Sequence, residues 1–130
     1  MTTAPLDIVR RFCASWAAGS LDDLMAFATD AVYHNIPMAP VVGVEQIRAT
    51  IEGFTSGVDS IEFRLDQIAA DGGTVLTERV DVFTFPNGCI ELPVMGTFEV
   101  VDGLIAAWRD YFDLNQFMAQ MPQASEPAGA

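Results

Sequence analysis

Hydrophobic residues in the first half of the chain recur every three or four positions, the period of a helix that buries one side. Such a segment begins at Pro5 and is ended by Gly19. Its apolar positions are Ile8, Val9, Phe12, Cys13 and Trp16. The same period from Val44 to Phe54 predicts another helix.

Two shorter elements are predicted between these helices. Ser20 is expected to cap a short helix, because Asp22 and Asp23 favour a helix N-terminus. The predicted buried side of that helix consists of Leu24, Met25 and Phe27. A short strand is predicted from Ala31 to Ile36, followed by the proline-bounded loop 37–40.

The second half has the alternating pattern of strands, with Ile61, Phe63 and Leu65 separated by charged residues. Glycine-containing turn signals follow at near-regular spacing, among them Asn87-Gly88 and Asp102-Gly103. The predicted strands of this antiparallel meander are 60–70, 74–86, 89–101 and 104–113. A last helix is predicted from Leu114 to Met121.

This order of elements predicts the fold class α+β, with the helices covering one face of a curved sheet. The expected division is a single domain over residues 1–122 and a loose tail over 123–130.

Composition narrows the range of partners. Hydrophobic residues make up 51% of the 130 residues, and the formal net charge of −12 argues against nucleic acids and anionic membranes. Two cysteines and one histidine are too few for a disulfide framework or a histidine-rich metal site. The chain has no apolar run of about 20 residues and no cationic leader, so a cytoplasmic protein is expected. The surplus of apolar side chains suits a ligand pocket or a dimer interface.

The candidate chemistry lies on two strands of the meander. Arg79 and Asp81 project from one face of the strand 74–86, and Asp110 shares a face with Trp108 and Phe112. If both faces border one cavity, the forked guanidinium of Arg79 can hold both carboxyls. Two carboxyls in a dry pocket do not easily ionise together, so one can act as acid and the other as base.

Tyr33 and Asn35 lie two positions apart on the strand 31–36, so their side chains project together. A phenol and an amide both donate and accept hydrogen bonds, which suits holding a water beside a carboxylate. The alternative for Asn35 is ordinary turn chemistry before the proline-rich loop.

Simpler interpretations exist for the charged residues too. Arg79 and Asp81 could form an exposed ladder of charges, and Asp110 could be a structural carboxylate tied to the backbone. Asp113 is expected to cap the last helix. Side chains expected on the outer face or in a surface loop are those of Glu78, Arg109 and His34.

Three segments in order and spacing resemble the limonene-1,2-epoxide hydrolase family. They are Tyr33-x-Asn35, then 78–82 (ERVDV), then 108–114 (WRDYFDL), and the similarity extends from about Ile8 to Phe117. The resemblance implies a cone-shaped α+β fold, shared with ketosteroid isomerases and polyketide cyclases, in which helices pack in the concave face of a strongly curved mixed sheet. It also implies a cofactor-free homodimer that adds one water to an epoxide and releases a vicinal diol.

The resemblance also implies a role for each residue. Asp110 would be the general base, with Tyr33 and Asn35 holding the water; Asp81 would be the proton donor, and Arg79 would orient both carboxyls. The expected pocket walls are Phe54, Phe83, Leu92, Val94, Phe112 and Phe117, with Ile36 and Met38 at the mouth and Cys13 and Trp16 at the floor. Because several wall positions are aromatic, the expected substrate is an apolar or cyclic epoxide rather than limonene oxide in particular.

Two other functions are compatible with the same sequence. One is an isomerase or cyclase on the same fold, which needs a single carboxylate base and an oxyanion site. The other is a non-catalytic dimer that binds an apolar ligand, in which the charged residues would be a dispensable network.

Overall fold

The computed structural model describes residues 4–18 and 26–122. Helices in these ranges are α1 (Pro5–Ala18), α2 (Val44–Thr55) and α3 (Leu114–Gln120). Strands are β1 (Phe27–Asn35), β2 (Val41–Val42), β3 (Ser60–Asp71), β4 (Thr74–Phe85), β5 (Gly88–Val101) and β6 (Leu104–Tyr111). The predicted short helix after Ser20 lies outside the described residues up to position 25, as does the predicted tail at 123–130.

The strands form one sheet in the order β2-β1-β6-β5-β4-β3. The pairs from β3 to β6 are antiparallel, as the turn signals predicted. β1 lies parallel to β6, which makes the sheet mixed and places Asn35 opposite Asp110. The α+β class is therefore confirmed, while the strong curvature of the sheet stays a prediction.

β1 is longer than the sequence pattern indicates. It begins at Phe27, which was expected on a helix but is a strand residue with only 6% of its surface exposed. Pairing with β6 explains this extension, because Phe27 lies opposite Ile105 on the adjacent strand β6. The two-residue strand β2 was not predicted, since so short a segment carries no period.

One face of the sheet packs against α1 and α2. Phe12 of α1 contacts the ring of Trp108 on β6 edge to face, with 5.1 Å between centroids, and Ile47 and Ile51 of α2 are fully buried. Each buried side chain of this size contributes about 1.5–3 kcal/mol by leaving water. Within this core, α1 packs mainly against β3 and α2 against β1.

A second apolar cluster lies toward the β4–β5 hairpin, where α3 covers the sheet. Ile90, Leu92 and Val94 of β5 form its centre, with Phe83 and Phe117 packed against them. α3 begins as predicted, because the Asp113 carboxylate accepts hydrogen bonds from the backbone N–H groups of Asn115 and Gln116. No helix within 4–18 and 26–122 is long and apolar enough to cross a membrane.

Candidate active site

Two strands separated by a third bring the predicted charged residues together. Arg79 and Asp81 extend from β4, Asp110 extends from β6, and β5 runs between these strands. The alternation of β4 directs Arg79 and Asp81 to the helix-covered face. Arg79 therefore reaches across β5 to meet Asp110.

The guanidinium of Arg79 donates to both carboxyls at once. Nε and Nη2 donate to Oδ1 and Oδ2 of Asp81 at 2.9 and 2.8 Å. Nη1 and Nη2 donate to Oδ1 and Oδ2 of Asp110 at 3.2 and 2.8 Å. One cation is thus shared between two carboxyls, which holds them close together in a fixed relation.

This cluster is withdrawn from solvent. Arg79 is 1% exposed, Asp81 3% and Asp110 4%. The exposed-ladder interpretation of Arg79 and Asp81 is therefore wrong: their side chains lie on the inner face, under the helices. Arg79 also lies 4.5 Å from the ring centroid of Phe63, close enough for a cation–π interaction.

Burial and charge act in opposite directions on these groups. Burial raises the pKa of Asp81 from 3.8 to about 6, although hydrogen bonds from Arg79 lower it. Burial disfavours the charge of Arg79, but the facing Asp110 and Asp81 outweigh it and hold the pKa of Arg79 well above its usual value. Arg79 thus stays cationic while Asp81 can hold a proton near neutral pH.

Side chains rather than backbone hold the carboxyl of Asp110. The indole Nε1 of Trp108 donates to Oδ1 of Asp110 at 2.6 Å, beside the two bonds from Arg79. The backbone carbonyl of Asp110 accepts from the Ile36 N–H at 2.9 Å, which ties β6 to the end of β1. These bonds fix the carboxyl at the edge of the cavity described below.

Tyr33 and Asn35 reach the same place from β1. The Tyr33 ring stacks on Trp108 with 4.2 Å between centroids, and its hydroxyl is hydrogen-bonded to the Asn35 side chain. Burial raises the pKa of Tyr33 far above its usual value, so the phenol stays protonated. Both side chains border the cavity together with Asp81 and Asp110.

An apolar cavity of about 560 Å³ opens in front of these four side chains. Five of the predicted wall residues and Met38, predicted at the mouth, line it; the five are Phe54, Phe83, Leu92, Phe112 and Phe117. Further lining residues were not predicted: Thr50, Gly53, Ser56, Val58, Phe63, Phe85, Leu114, Met118 and Met121. Six of these nine have apolar side chains, and the Asp81 and Asp110 carboxyls are the acidic groups in this wall.

Four predicted pocket residues do not line the cavity. Val94 is 3% exposed and packs inside the second apolar cluster, and Ile36 lies on the turn after β1. Trp16 lies behind the wall rather than at the floor, because it stacks on Phe63 with 4.5 Å between centroids. Cys13 is likewise buried in the core, and burial raises the pKa of its thiol to about 12.

The remaining predictions concern residues away from the cavity. Glu78 is exposed on the outer face, and Arg109 pairs there with Glu99. The His34 ring hydrogen-bonds the Met38 carbonyl across the turn at 2.9 Å. No cluster of His, Cys, Asp or Glu that could hold a metal ion occurs in the described part of the chain.

Known proteins resemble this chain in sequence and in fold. The limonene-1,2-epoxide hydrolase catalytic domain matches residues 3–123. Epoxide hydrolase EphG of Mycobacterium tuberculosis is 38% identical over 89 residues, which cover 68% of this chain and 59% of EphG. The chain thus spans less than two thirds of that curated relative.

Solved structures share the fold. An M. tuberculosis LEH-like epoxide hydrolase superposes with a TM-score of 0.81 at 31% identity, covering 92% of this chain and 90% of the other. A SnoaL-like polyketide cyclase from Shewanella denitrificans, described as putative, has a TM-score of 0.81 at 14% identity, covering 89% and 95%, and shares the fold alone. On the match over residues 3–123, the chain belongs to the limonene-1,2-epoxide hydrolase family.

Proposed function

We propose that the protein is an epoxide hydrolase that adds one water to an apolar epoxide in a single acid–base step and releases a vicinal diol. The main support is the buried guanidinium of Arg79 shared by Asp81 and Asp110 at the wall of an apolar cavity. Membership of the family and the similarity to EphG agree with this activity.

Asp110 is the general base in this proposal. Its Oδ2 accepts one hydrogen bond from Arg79, which leaves accepting capacity toward the cavity. A water there can donate one hydrogen to Asp110 and contact the Tyr33 hydroxyl and the Asn35 amide. Such a water is oriented for attack and needs no covalent intermediate.

Asp81 is the proton donor. Its pKa of about 6, raised mainly by burial, leaves a protonated fraction near neutral pH, and a bound apolar substrate would exclude further water. Arg79 donates to Oδ1 and Oδ2 of Asp81, so the carboxyl is fixed in orientation while it gives up its proton.

The proposed step balances as follows. Asp110 takes a proton from water as the water oxygen forms a bond to one epoxide carbon. The bond between that carbon and the ring oxygen breaks, and the ring oxygen takes the proton of Asp81. Asp110 is then protonated and Asp81 ionised, so a proton passes between them through solvent before the next turnover. Arg79 remains charged throughout.

The cavity indicates the substrate class. A volume of about 560 Å³ lies within the roughly 300–1,000 Å³ of pockets that enclose drug-sized ligands. Its wall is mainly aromatic and aliphatic, with Phe63, Phe83 and Phe112 near the acids. An apolar epoxide, cyclic or aryl-substituted, fits this lining better than a charged or strongly polar one.

The test is diol formation from styrene oxide, cyclohexene oxide and limonene oxide by the wild type and by two variants, Asp81→Asn and Asp110→Asn. Each substitution removes one proton-transfer group, and we expect a loss of about 10²–10⁴-fold in kcat. Asp102→Asn is the matched control, because Asp102 lies in the β5–β6 turn at φ 51°, which asparagine tolerates. Unchanged turnover in either active-site variant would refute the acid–base pair.

A ketosteroid isomerase-like or cyclase activity is the alternative. It needs one base and an oxyanion site, and it offers no role for an arginine that joins two aspartates. Proton exchange at carbon in a steroid-like ketone, without diol formation from any epoxide, would favour it.

We also infer that the protein acts as a homodimer joined through the outer face of the sheet. Leu76, Met95 and Tyr111 are 47%, 50% and 47% exposed there, although all three are large and apolar or aromatic. Met95 and Tyr111 are direct neighbours on β5 and β6, and Leu76 lies on β4 two positions from Glu78, the residue that pairs with Met95. Light scattering should give twice the chain mass for the wild type and the chain mass for Met95→Glu; a monomeric wild type would refute the dimer.

A further inference from the structure

Arg79 has five N–H groups, and only four of them are taken by the two aspartates. Nε and one hydrogen of Nη2 donate to Asp81, while the other hydrogen of Nη2 and one of Nη1 donate to Asp110. The fifth N–H, on Nη1, donates to Oγ1 of Thr77 at 3.1 Å. Every donor of the guanidinium is thereby satisfied.

Thr77 is fixed so that it can act only as an acceptor toward Arg79. Its hydroxyl donates its one hydrogen to the Gly96 carbonyl at 3.2 Å, so a lone pair faces Nη1. Thr77 is 1% exposed and lies two positions before Arg79 on the same face of β4. Water therefore does not replace this hydroxyl easily.

Gly96 lies on β5 directly between the two halves of the site. It pairs with Thr77 on one side and with Asp110 on the other. A Cβ atom at this position would lie 2.3 Å from Nη1 of Arg79 and 2.6 Å from Oδ1 of Asp110. Cβ contacts below 3.0 Å essentially do not occur, so any side chain here would displace the guanidinium or the carboxyl.

A glycine is needed at position 96 because the Arg79 and Asp110 side chains approach so closely, and not because of its backbone angles. Gly96 does not have a positive φ angle; the glycines that do, among the described residues, are Gly43, Gly57, Gly72 and Gly103. In the interior of a strand, glycine weakens the sheet and commonly marks the close approach of another group. Here the approaching group is the arginine side chain from the neighbouring strand.

We propose that Thr77 and Gly96 are positioning residues of the acid–base centre. Gly96 leaves the passage through which Arg79 reaches Asp110 across β5, and Thr77 takes the one N–H that neither aspartate accepts. Together they set the orientation of the guanidinium and hence the relation of Asp81 to Asp110. This inference rests on the proposed hydrolase function for its kinetic consequence, but not for its structural one.

The kinetic test compares two substitutions of Thr77. Thr77→Val keeps the shape but removes the acceptor, and we expect kcat on styrene oxide to fall about tenfold with little change in KM, as for one lost hydrogen bond to a charged group. Thr77→Ser keeps the hydroxyl and should stay within about threefold of the wild type. Thr84→Val, on the outer face of the same strand, is the matched control.

A second variant tests the passage itself. Gly96→Ala should lower kcat by about 100-fold or more, because a displacement of about 1 Å at a catalytic group costs that much. Circular dichroism and urea unfolding of each variant separate this effect from misfolding.

If Thr77→Val does not fold, Thr77→Ala, which also lacks the hydroxyl, is expected to show the same loss.

An NMR measurement tests the geometry independently of any turnover. The chain has six arginines and no lysine, so ¹⁵N-arginine labelling gives a simple spectrum. A guanidinium held through all five N–H groups should give separate, slowly exchanging Nη–H signals in the wild type, Thr77→Ser and Thr84→Val, and broadened ones in Thr77→Val. Turnover and Arg79 signals in Thr77→Val that match those of Thr84→Val would overturn the proposal.

The two proposals fail in different ways. A wild type that opens no epoxide but shows the fixed Arg79 signals, lost in Thr77→Val, would refute the hydrolase function and retain the positioning role. If the wild type opens epoxides and Thr77→Val matches it in rate and in spectrum, the positioning role is refuted and the hydrolase function is retained.

Discussion

Each face of the sheet carries an ion pair between an arginine and a carboxylate, and the two pairs lie in different surroundings. On the inner face, the Arg79 side chain has no exposed surface and bridges Asp81 and Asp110. On the outer face, the Arg64 and Glu91 side chains, also 2.8 Å apart at their nearest atoms, are 48% and 59% exposed. The nearest N–O distance is therefore the same, while burial and the number of carboxyls on the arginine differ.

That difference decides what each pair can do. In water an exposed pair gains little, because solvent screens the charges and the side chains lose freedom. In the dry interior the same groups cannot remain charged without partners, so their pKa values depend strongly on their neighbours. The inner pair can therefore do proton chemistry, and the outer pair serves mainly to keep the surface polar.

The largest expected effect comes from removing the shared cation. Arg79→Gln leaves two buried carboxyls facing each other, and we expect a loss of about 3–5 kcal/mol in the free energy of unfolding at pH 7 together with loss of turnover. Urea unfolding monitored by tryptophan fluorescence measures the first. An Arg79→Gln protein as stable as the wild type would show that the inner pair resembles the outer one.

The next effect is on the pH dependence of activity. Since Asp81 must be protonated to act as acid and its pKa is raised to about 6, kcat/KM should fall by about tenfold per pH unit above that value. A profile for styrene oxide between pH 5 and 9 tests this. A flat profile across that range would remove Asp81 from the acid role.

Stability should depend on pH through the same carboxyl. The pKa of Asp81 is higher in the folded state than its usual 3.8, so the folded protein binds this proton more tightly than the unfolded chain. Its contribution is present below about pH 4 and is lost as pH rises through about 6. As pH rises from about 4 to about 6, the Tm of the wild type should therefore fall relative to the Tm of Asp81→Asn. A difference in Tm that stays constant over this range would contradict the raised pKa.

The smallest effect is expected on the outer face. Arg64→Gln and Glu91→Gln each break the exposed pair, and we expect no measurable change in the urea midpoint or in epoxide turnover. Arg64→Gln makes the same substitution as Arg79→Gln in an exposed pair with a single carboxyl, so it is the control for the buried, shared arginine. A loss comparable to that of Arg79→Gln would remove the distinction between the faces.

Local periodicity was enough to predict much of the fold. The alternation around Ile61 and the turns at Asn87-Gly88 and Asp102-Gly103 gave the four strands of the meander to within a few residues. The parallel pairing of β1 with β6 was not predictable in this way, because it joins residues about 75 positions apart, such as Tyr33 and Trp108. The start of β1 at Phe27 depends on the same distant contact.

The candidate site, like the fold, was predictable only as far as local periodicity determines it. A period of two places Arg79 and Asp81 on one face of β4. It does not indicate which inner-face side chains reach the cavity, and Val94 was therefore assigned to the pocket wall although it packs in the second apolar cluster. Thr77 could have been found from the period, since it lies two residues before Arg79. Gly96 could not, because its importance comes from an arginine on another strand.

The most direct test of the account is a ¹³C NMR titration of the aspartate carboxyls, with Asp81 assigned from Asp81→Asn. We predict that the Asp81 carboxyl titrates with a midpoint of about pH 6 in the wild type. A midpoint near 4, with Asp81 fully ionised at pH 6 to 7, would contradict the claim that the buried, arginine-shared pair keeps one carboxyl available as an acid.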